Sequence, residues 1–296
     1  MYKDLFGKTR AKLGLHVHTS LSDGALSPEE AALVYKNAGY DAIAFTDHWV
    51  YGDEREINGL KILSGCEFHV GSKATDGVFH ILSISTDRMP QLSVECSKNS
   101  PDNLKNAINV VKEIKKCGGI AVLAHPAWSL NTNEQILGLG DFDALEIYNA
   151  VSECGMSDRP YSGVISDMAA THGKIPLLFA TDDTHYYNGD ECRGYIMAEV
   201  ESLDTEEIKS ALFSGRFYAT EGPEVHAYKT DEGTIRVKCS PANKIVFFSN
   251  AVWSLGRVIR GEGLTKAEYK ITDNDKFVRV EITDCDGKRA WSNYII

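Results

Sequence analysis

Apolar residues in this chain fall into two textures. Up to about position 220, short apolar runs alternate with stretches in which apolar residues recur every three or four positions. The runs at 13–18, 41–45, 60–64, 79–84, 120–124, 144–148 and 177–180 read as strands, several of them apolar enough to be fully buried. Ser27-Pro28-Glu29-Glu30 opens a helix. Ser27 can cap it, Pro28 suits its first position, and Glu30 lies three residues past the cap. Ala31, Ala32, Leu33 and Tyr35 continue it, and Gly39 stops it. Ser100-Pro101-Asp102 opens a second helix, with Leu104, Ala107, Ile108, Val111 and Ile114 on one stripe and Gly118-Gly119 at its end. Further helices are predicted over 161–170 and over 205–213, the latter closed by Gly215. A strand-then-helix rhythm of this kind predicts parallel strands with helices packed outside them.

Beyond Gly222 the periodicity shortens. Strands are predicted at 225–228, 234–239, 244–249, 267–271 and 277–283. Asp231-Glu232-Gly233, Ser240-Pro241-Ala242-Asn243 and Asp284-Cys285-Asp286-Gly287 read as the turns that separate or end them. The expected organisation is therefore an α/β unit over residues 1–221 and a small antiparallel all-β domain over 222–296.

Charge narrows the function. The 296 residues carry 31 basic and 42 acidic side chains, a net charge of −11. Phosphate backbones are held by Lys and Arg, so non-specific nucleic-acid binding is disfavoured. No apolar run reaches the roughly 18 residues a membrane span needs. Residues 1–12 are polar and lack the apolar centre of a secretory signal. The seven cysteines are scattered, with no C-x-x-C pair, which suggests neither a disulfide framework nor a zinc ribbon and leaves a reduced, cytoplasmic protein as the default expectation.

The candidate chemistry lies at strand ends. His16-Val17-His18 closes the first strand, and residues i and i+2 of a strand share a face, so both imidazoles can reach one ion. Asp23 follows in a glycine-containing loop. Thr46-Asp47-His48 ends the second strand, Glu67 follows the third, and Ala124-His125-Pro126 ends the strand at 120–124. Asp183-Thr184-His185 repeats the i, i+2 spacing after the strand at 177–180. In α/β folds, active sites assemble at the carboxyl edge of the sheet. His80 is the exception, because it begins a run instead of ending one. His69 shares a face with Glu67 and is left open. His172, near a helix end, and His226, in the β region, are read as structural.

Each motif alone has an ordinary structural reading: a core histidine, a turn, a solvated acid. Together, nine imidazoles and carboxylates at successive strand ends point to metal. Imidazole with carboxylate suits zinc, manganese or iron, and the absence of thiolates argues against a purely structural zinc. Four ligands hold one ion, so nine suit two or three. Bound cations would also supply the positive field that a phosphate needs in an acidic protein.

The stretch His16-Val17-His18-Thr19-Ser20-Leu21-Ser22-Asp23-Gly24, with Thr46-Asp47-His48, Gly65-Cys66-Glu67, Ala124-His125-Pro126 and Asp183-Thr184-His185, resembles the PHP (polymerase and histidinol phosphatase) family over about residues 10–220. The resemblance implies a distorted, seven-stranded, TIM-like β/α barrel with a metal cluster at its carboxyl-end face. It implies one ion on His16, His18, Glu67 and Asp183. A second would be held by Glu67, His80 and His125, and a third by Asp23, His48 and His185. Asp23 stands where some relatives carry histidine. The segment from Leu212 to Pro223 and the tail Arg289-Ala290-Trp291-Ser292-Asn293 are similar to the subgroup with a C-terminal β domain.

The function expected from this set is hydrolysis of a small phosphorylated metabolite by a metal-bridging hydroxide, with Glu67, Asp183 and His185 as catalytic residues. Arg159 and Arg193 are candidate phosphate clamps, since a guanidinium binds two oxygens at once. Each is equally the residue type of a surface ion pair. Asn149 and Tyr148 are candidates for the pocket lining. Two rivals stand beside this reading: a metal-dependent hydrolase of a carboxyl ester, amide or carbamate, and a non-catalytic metal-binding regulator. A DNA-processing role ranks last, because no basic groove is visible.

Overall fold

The local signals at the first helix are realised in full. Ser27 accepts from the Glu30 amide and the Glu30 side chain reaches back to the cap, starting α1 at Pro28–Asn37. Gly39 leaves the helix with φ +78°, a conformation that costs glycine little. The structure is a computed structural model and describes residues 1–92 and 102–296. Ser100, Pro101 and Cys96 therefore lie outside the described residues. Asp102 caps α2 (Asn103–Lys116) by accepting from the Lys105 amide.

The first ten strands are β1 (Tyr2–Lys3), β2 (Thr9–Val17), β3 (Ala42–Phe45), β4 (Arg55–Ile57), β5 (Leu60–Leu63), β6 (Gly65–Val70), β7 (Phe79–Ile84), β8 (Ile120–Leu123), β9 (Ala144–Asn149) and β10 (Leu177–Thr181). Helices α3 (Pro126–Ser129) and α4 (Asn133–Gly138) follow β8, and α5 (Gly163–Thr171) follows β9. The chain continues with β11 (Tyr195–Glu199), α6 (Thr205–Phe213), β12 (Phe217–Thr220), β13 (Val225–Lys229), β14 (Thr234–Phe248), β15 (Val258–Lys270), β16 (Arg279–Thr283) and β17 (Arg289–Ser292).

Two sheets form. The larger runs β13-β14-β16-β17-β12-β11-β2-β3-β5-β4, with β1 beside β2 and β15 beside β14. The smaller runs β10-β9-β8-β7-β6. The fold is thus mixed α/β with large mixed sheets. Their edges meet at two isolated parallel bridges, Val17 with Thr184 and His48 with Glu67. Gly65 permits the second approach: a Cβ there would stand 2.4 Å from the Phe45 carbonyl oxygen. A common apolar core of β2, β3 and β6–β10 residues fills the space between, with Leu13, Leu15, Phe68, Leu82, Leu123, Leu145 and Phe179 all at most 2% exposed.

Three expectations change. Strand order is not uniformly parallel: β7 runs antiparallel to both β6 and β8. The turn at 240–243 is absent, and β14 continues through it as one strand whose register shifts between Lys238 and Lys244. Pro241 cannot donate to a ladder and is tolerated in a strand at such a bulge. Strands β11, β12 and β17 escaped the pattern reading. They join the C-terminal strands to the N-terminal unit in one continuous sheet, through the pairing of Tyr218, Ala219 and Thr220 with Ser292, Trp291 and Ala290. The C-terminal apolar cluster accordingly takes in Met197 and Tyr218. No helix of the described residues is long and apolar enough to cross a membrane.

Candidate metal centre

The two bridges set the site. The His18 amide donates to the Thr184 carbonyl and the Asp183 amide to the His16 carbonyl, locking β2 beside the end of β10. Trp49 and Glu67 close the other seam by backbone bonding. His16 and His18 therefore face Glu67 on one side and Asp183 on the other. His16 Nε2 lies 3.2 Å from Glu67 Oε2 and 3.0 Å from Asp183 Oδ1; His18 Nε2 lies 3.0 and 3.2 Å from the same atoms.

His80 reaches the same place because β7 is reversed. Its first residues stand at the edge where its neighbours' carboxyl or equivalent ends gather, and His80 Nδ1 is 2.8 Å from Glu67 Oε1. His125 Nε2 is 3.4 Å from Glu67 Oε1 and 3.6 Å from Asp183 Oδ2. His48 Nδ1 is 3.2 Å from Glu67 Oε2 and also 3.2 Å from His69 Nδ1. On the outer side, Asp23 Oδ1 lies 3.4 Å from His18 Nδ1 and 3.6 Å from His185 Nε2, with its Oδ2 3.8 Å from His48 Nε2. Gly24 lets this loop fold back, since a Cβ there would fall 2.5 Å from the His18 carbonyl.

Three donor groups result, each with ligand atoms within 4.8 Å of one another: His16, His18, Glu67 and Asp183; His18, Asp23, His48 and His185; and His48, Glu67 and His80. His18 enters the outer group, and His48 joins Glu67 and His80 in place of His125. Asp183 Oδ1 is buried without an aligned hydrogen bond although two imidazole nitrogens lie within 3.2 Å. Imidazole and carboxylate donor atoms gathered this closely are the arrangement a cation fills. The imidazole–carboxylate set fits zinc, manganese or iron.

Electrostatics agree. Burial opposes charge on His16, but Asp183, Glu146 and Glu67 hold its imidazolium well above the ordinary range. His18 behaves the same way under Asp183, Asp23 and Glu67. Burial likewise opposes ionisation of Glu67 and Asp183, and the surrounding histidines hold both well below the carboxylate range. His48 is the exception. Burial, with His18 and His80 beside it, outweighs Glu67 and Asp23 and takes it down to about 4.

Several supporting groups went unread in the sequence. Glu146 accepts from His16 Nδ1 (2.7 Å), Thr181 Oγ1 (2.7 Å), the His125 amide (2.8 Å) and Asn149 Nδ2 (2.9 Å). Its signal was available: it is the one charged residue in the apolar run of β9, and a lone buried carboxylate needs partners. Asp182 receives the Cys192, Arg193 and Gly194 amides and the Tyr35 hydroxyl, and its burial raises it to about 6. Asp47 receives the Thr19 amide and hydroxyl and the Ser22 hydroxyl, fixing the loop that carries Asp23. His125 and Asp183 sit at φ 29° and 55°, strained values found where surrounding structure over-determines a site.

The proposed organic contacts lie elsewhere. Arg193 is held by Glu153 at 2.6 Å and by Cys154, and Arg159 is exposed; neither lines the cavity before the cluster. Asn149 is buried behind the site, donating to Glu146 and to Asp183 Oδ2 at 3.1 Å, so it orients Asp183 from behind. Tyr148 is buried and donates to Glu153. His226 stacks on Phe6, and His172 bonds the Met168 carbonyl, both away from the cluster.

The sequence profile of the PHP domain matches residues 14–197. No curated protein matches. A Bacteroides vulgatus crystal structure, described as a two-domain protein containing a PHP-like metal-dependent phosphoesterase, is 16% identical with a TM-score of 0.54, over 99% of this chain and 97% of that one. A Bifidobacterium adolescentis protein described as a metal-dependent phosphoesterase is 15% identical at TM-score 0.44, over 69% of this chain and 96% of its own. An amidohydrolase from Chromobacterium violaceum with bound sulfate is 17% identical at TM-score 0.42, over 61% and 89%.

Proposed function

This chain belongs to the PHP domain family, and from that premise we propose that it is a metal-dependent phosphoesterase acting on a small phosphorylated metabolite. The observation that carries the proposal is the sharing of donors: His18, His48 and Glu67 each serve two of the three groups. Shared ligands suit adjacent ions, and two or three divalent cations of zinc, manganese or iron are the proposed complement. His16, His18, Glu67 and Asp183 would hold one. Glu67 and His80, with His125 or His48, would hold the second, and Asp23, His48 and His185 the third. When bound, the ions supply an activated water and neutralise charge on the phosphoryl oxygens.

The chain's own residues hold that arrangement. Glu67 spans two groups with its two oxygens. Asp183 is aimed by Asn149. His185 donates Nδ1–H to the Asp183 carbonyl at 2.7 Å, which leaves Nε2 facing Asp23 and the cavity. These three remain the proposed catalytic side chains. With Arg159 and Arg193 outside the cavity, recognition of the phosphoryl group falls to the ions.

The proposal extends to architecture. We read the strands β2, β3, β5–β6, β7, β8, β9 and β10 as a seven-stranded barrel closed by the Val17–Thr184 and His48–Glu67 bridges, with residues 222–296 as a second, β unit. The change to all-β, antiparallel pairing among β13–β16 supports the second unit. The unpaired thiols among the described cysteines support a reducing compartment such as the cytoplasm.

The test is elemental analysis of purified protein, followed by parallel assays of phosphate release from phosphomonoesters and of carboxyl-ester and amide cleavage. Phosphate release that chelation abolishes and metal restores is the expected result. Turnover of carboxyl esters or amides alone would move the protein to the rival hydrolase class. Full metal loading without any turnover would make it a binding protein.

A further inference from the structure

The cavity in front of the cluster, about 310 Å³, has two unlike kinds of lining residue. Most are the metal-type donors. Among them the lining also carries Trp128, Val151 and Tyr186, with the Tyr186 ring centroid 6.1 Å from that of His185. Trp128 stands on α3 just past His125, its ring centroid 4.9 Å from the His125 ring at 78° and 5.7 Å from the His80 ring at 60°. The helix is fixed there: Ser129 Oγ meets His125 Nδ1 at 3.2 Å and its amide donates to the His125 carbonyl. The indole is thus a rigid plate beside the donors. Ser152, which also lines the cavity, has its hydroxyl and amide engaged by Asn149 Oδ1.

This asymmetry constrains what is esterified to the phosphate. Among the described residues, no Lys or Arg lines the cavity. One phosphoryl group facing bound cations is compensated. A second anionic group, away from the ions, would be stripped of water beside the indole with no side-chain cation among the described lining residues to receive it. A polyhydroxylated leaving group would lose its water against Val151 and Trp128 with few partners in return. A flat apolar ring loses nothing there, and it gains contact with an aromatic face or edge.

Resting on the phosphoesterase reading, we propose that the substrate is a phosphate monoester whose leaving group is uncharged and carries a flat ring packing on Trp128. The step is ordinary hydrolysis: water oxygen bonds to phosphorus, the P–O bond to the leaving group breaks, and the released alkoxide takes a proton to give a ring-bearing alcohol and inorganic phosphate.

The experiment compares three monoesters with alkoxide leaving groups, so that intrinsic reactivity does not set the order: benzyl phosphate, glycerol 3-phosphate and 3-phosphoglycerate. In the metal-loaded protein, kcat/KM for benzyl phosphate is expected to exceed the other two by about tenfold or more, the scale of pocket discrimination. W128A should lower benzyl phosphate turnover through KM and bring its ratio to glycerol 3-phosphate near unity, whereas W128F should restore the preference. Metal content of both variants, read by elemental analysis, should match the parent. Equal or better use of glycerol 3-phosphate by the parent, or parallel losses on both esters in W128A, would overturn the proposal. Binding of benzylphosphonate by calorimetry separates the two readings. A parent that binds it in a Trp128-dependent way yet hydrolyses no ester keeps the pocket assignment and overturns the phosphoesterase; a parent that hydrolyses glycerol 3-phosphate and ignores benzylphosphonate does the reverse.

Discussion

His16 and Glu146, 130 positions apart in the chain, meet at 2.7 Å with both side chains fully withdrawn from solvent. Glu146 accepts the Nδ1 proton of His16, which leaves Nε2 as the atom turned toward Glu67, His18 and Asp183. A carboxylate behind a ligating imidazole fixes its tautomer and raises its basicity. Replacing Glu146 with Gln keeps the shape and removes the charge. E146Q should weaken metal binding by about 10–100-fold, the usual scale for a group that only orients a ligand. Competition against a chromophoric chelator measures it, and an unchanged far-ultraviolet circular dichroism spectrum separates the effect from unfolding.

Metal uptake should release protons. In the metal-free protein His16, His18, His125 and His185 are each held above the ordinary imidazole range by facing carboxylates, against the opposing effect of burial. A cation must displace those protons. The sign follows: affinity weakens as pH falls, and the competition begins at a higher pH than for free imidazole. Titration calorimetry in buffers of different ionisation enthalpy should report net proton release at pH 7. Zero release would mean the imidazoles are already neutral.

Glu221 gives the junction between β12 and β17 a pH dependence. Burial, reinforced by the charge of Glu153, raises its carboxyl from 4.5 to about 7, against the Arg289 amide and the Tyr161 hydroxyl that it accepts from. Between about pH 4.5 and 7 the folded chain therefore holds more protons than the unfolded one. Stability from this group is complete below that window and declines as pH rises through it. E221Q should flatten that part of the stability curve and be the more stable protein at pH 8, with the difference gone by pH 4.5. Chemical denaturation across the range is the measurement.

Arg279 on β16 is 1% exposed and grips Asp167 on α5 through two bonds, of 2.7 and 2.8 Å. The pair joins the C-terminal strands to a helix of the N-terminal unit. D167A would leave the guanidinium with Glu281 at 3.4 Å as its remaining carboxylate partner. Breaking a buried pair from one side costs about 3–5 kcal/mol, and the low end applies because Glu281 stays. A fall in midpoint with an unchanged denaturant slope is expected. A change in slope would indicate that the C-terminal strands detach separately.

The sequence carried most of the donor set because the relevant physics is local. A strand alternates its faces, so His16 and His18, or Asp183 and His185, are spaced for a common target by chain geometry alone. The capping box at Ser27 and the apolar stripe of α2 were legible for the same reason: each depends on residues three or four positions apart. His80 was not, because whether the start of a strand reaches the ligand edge depends on that strand's direction, and direction is chosen by its neighbours. Glu146 was passed over because it reads as one acid in an apolar run until its four donors surround it.

Residue type and spacing by themselves determined the chemistry available here: imidazoles and carboxylates at strand ends, in an acidic chain with no C-x-x-C spacing. Tertiary structure decided which of them share a donor group, that Arg193 closes on Glu153 outside the cavity, that Trp128 and Val151 line the same cavity as the donors, and that the C-terminal strands extend the same sheet. The division follows from range. Periodicity and capping are fixed by contacts a few residues apart, whereas sheet order, burial and side-chain partnership depend on contacts across a hundred residues or more, which only the packed core selects.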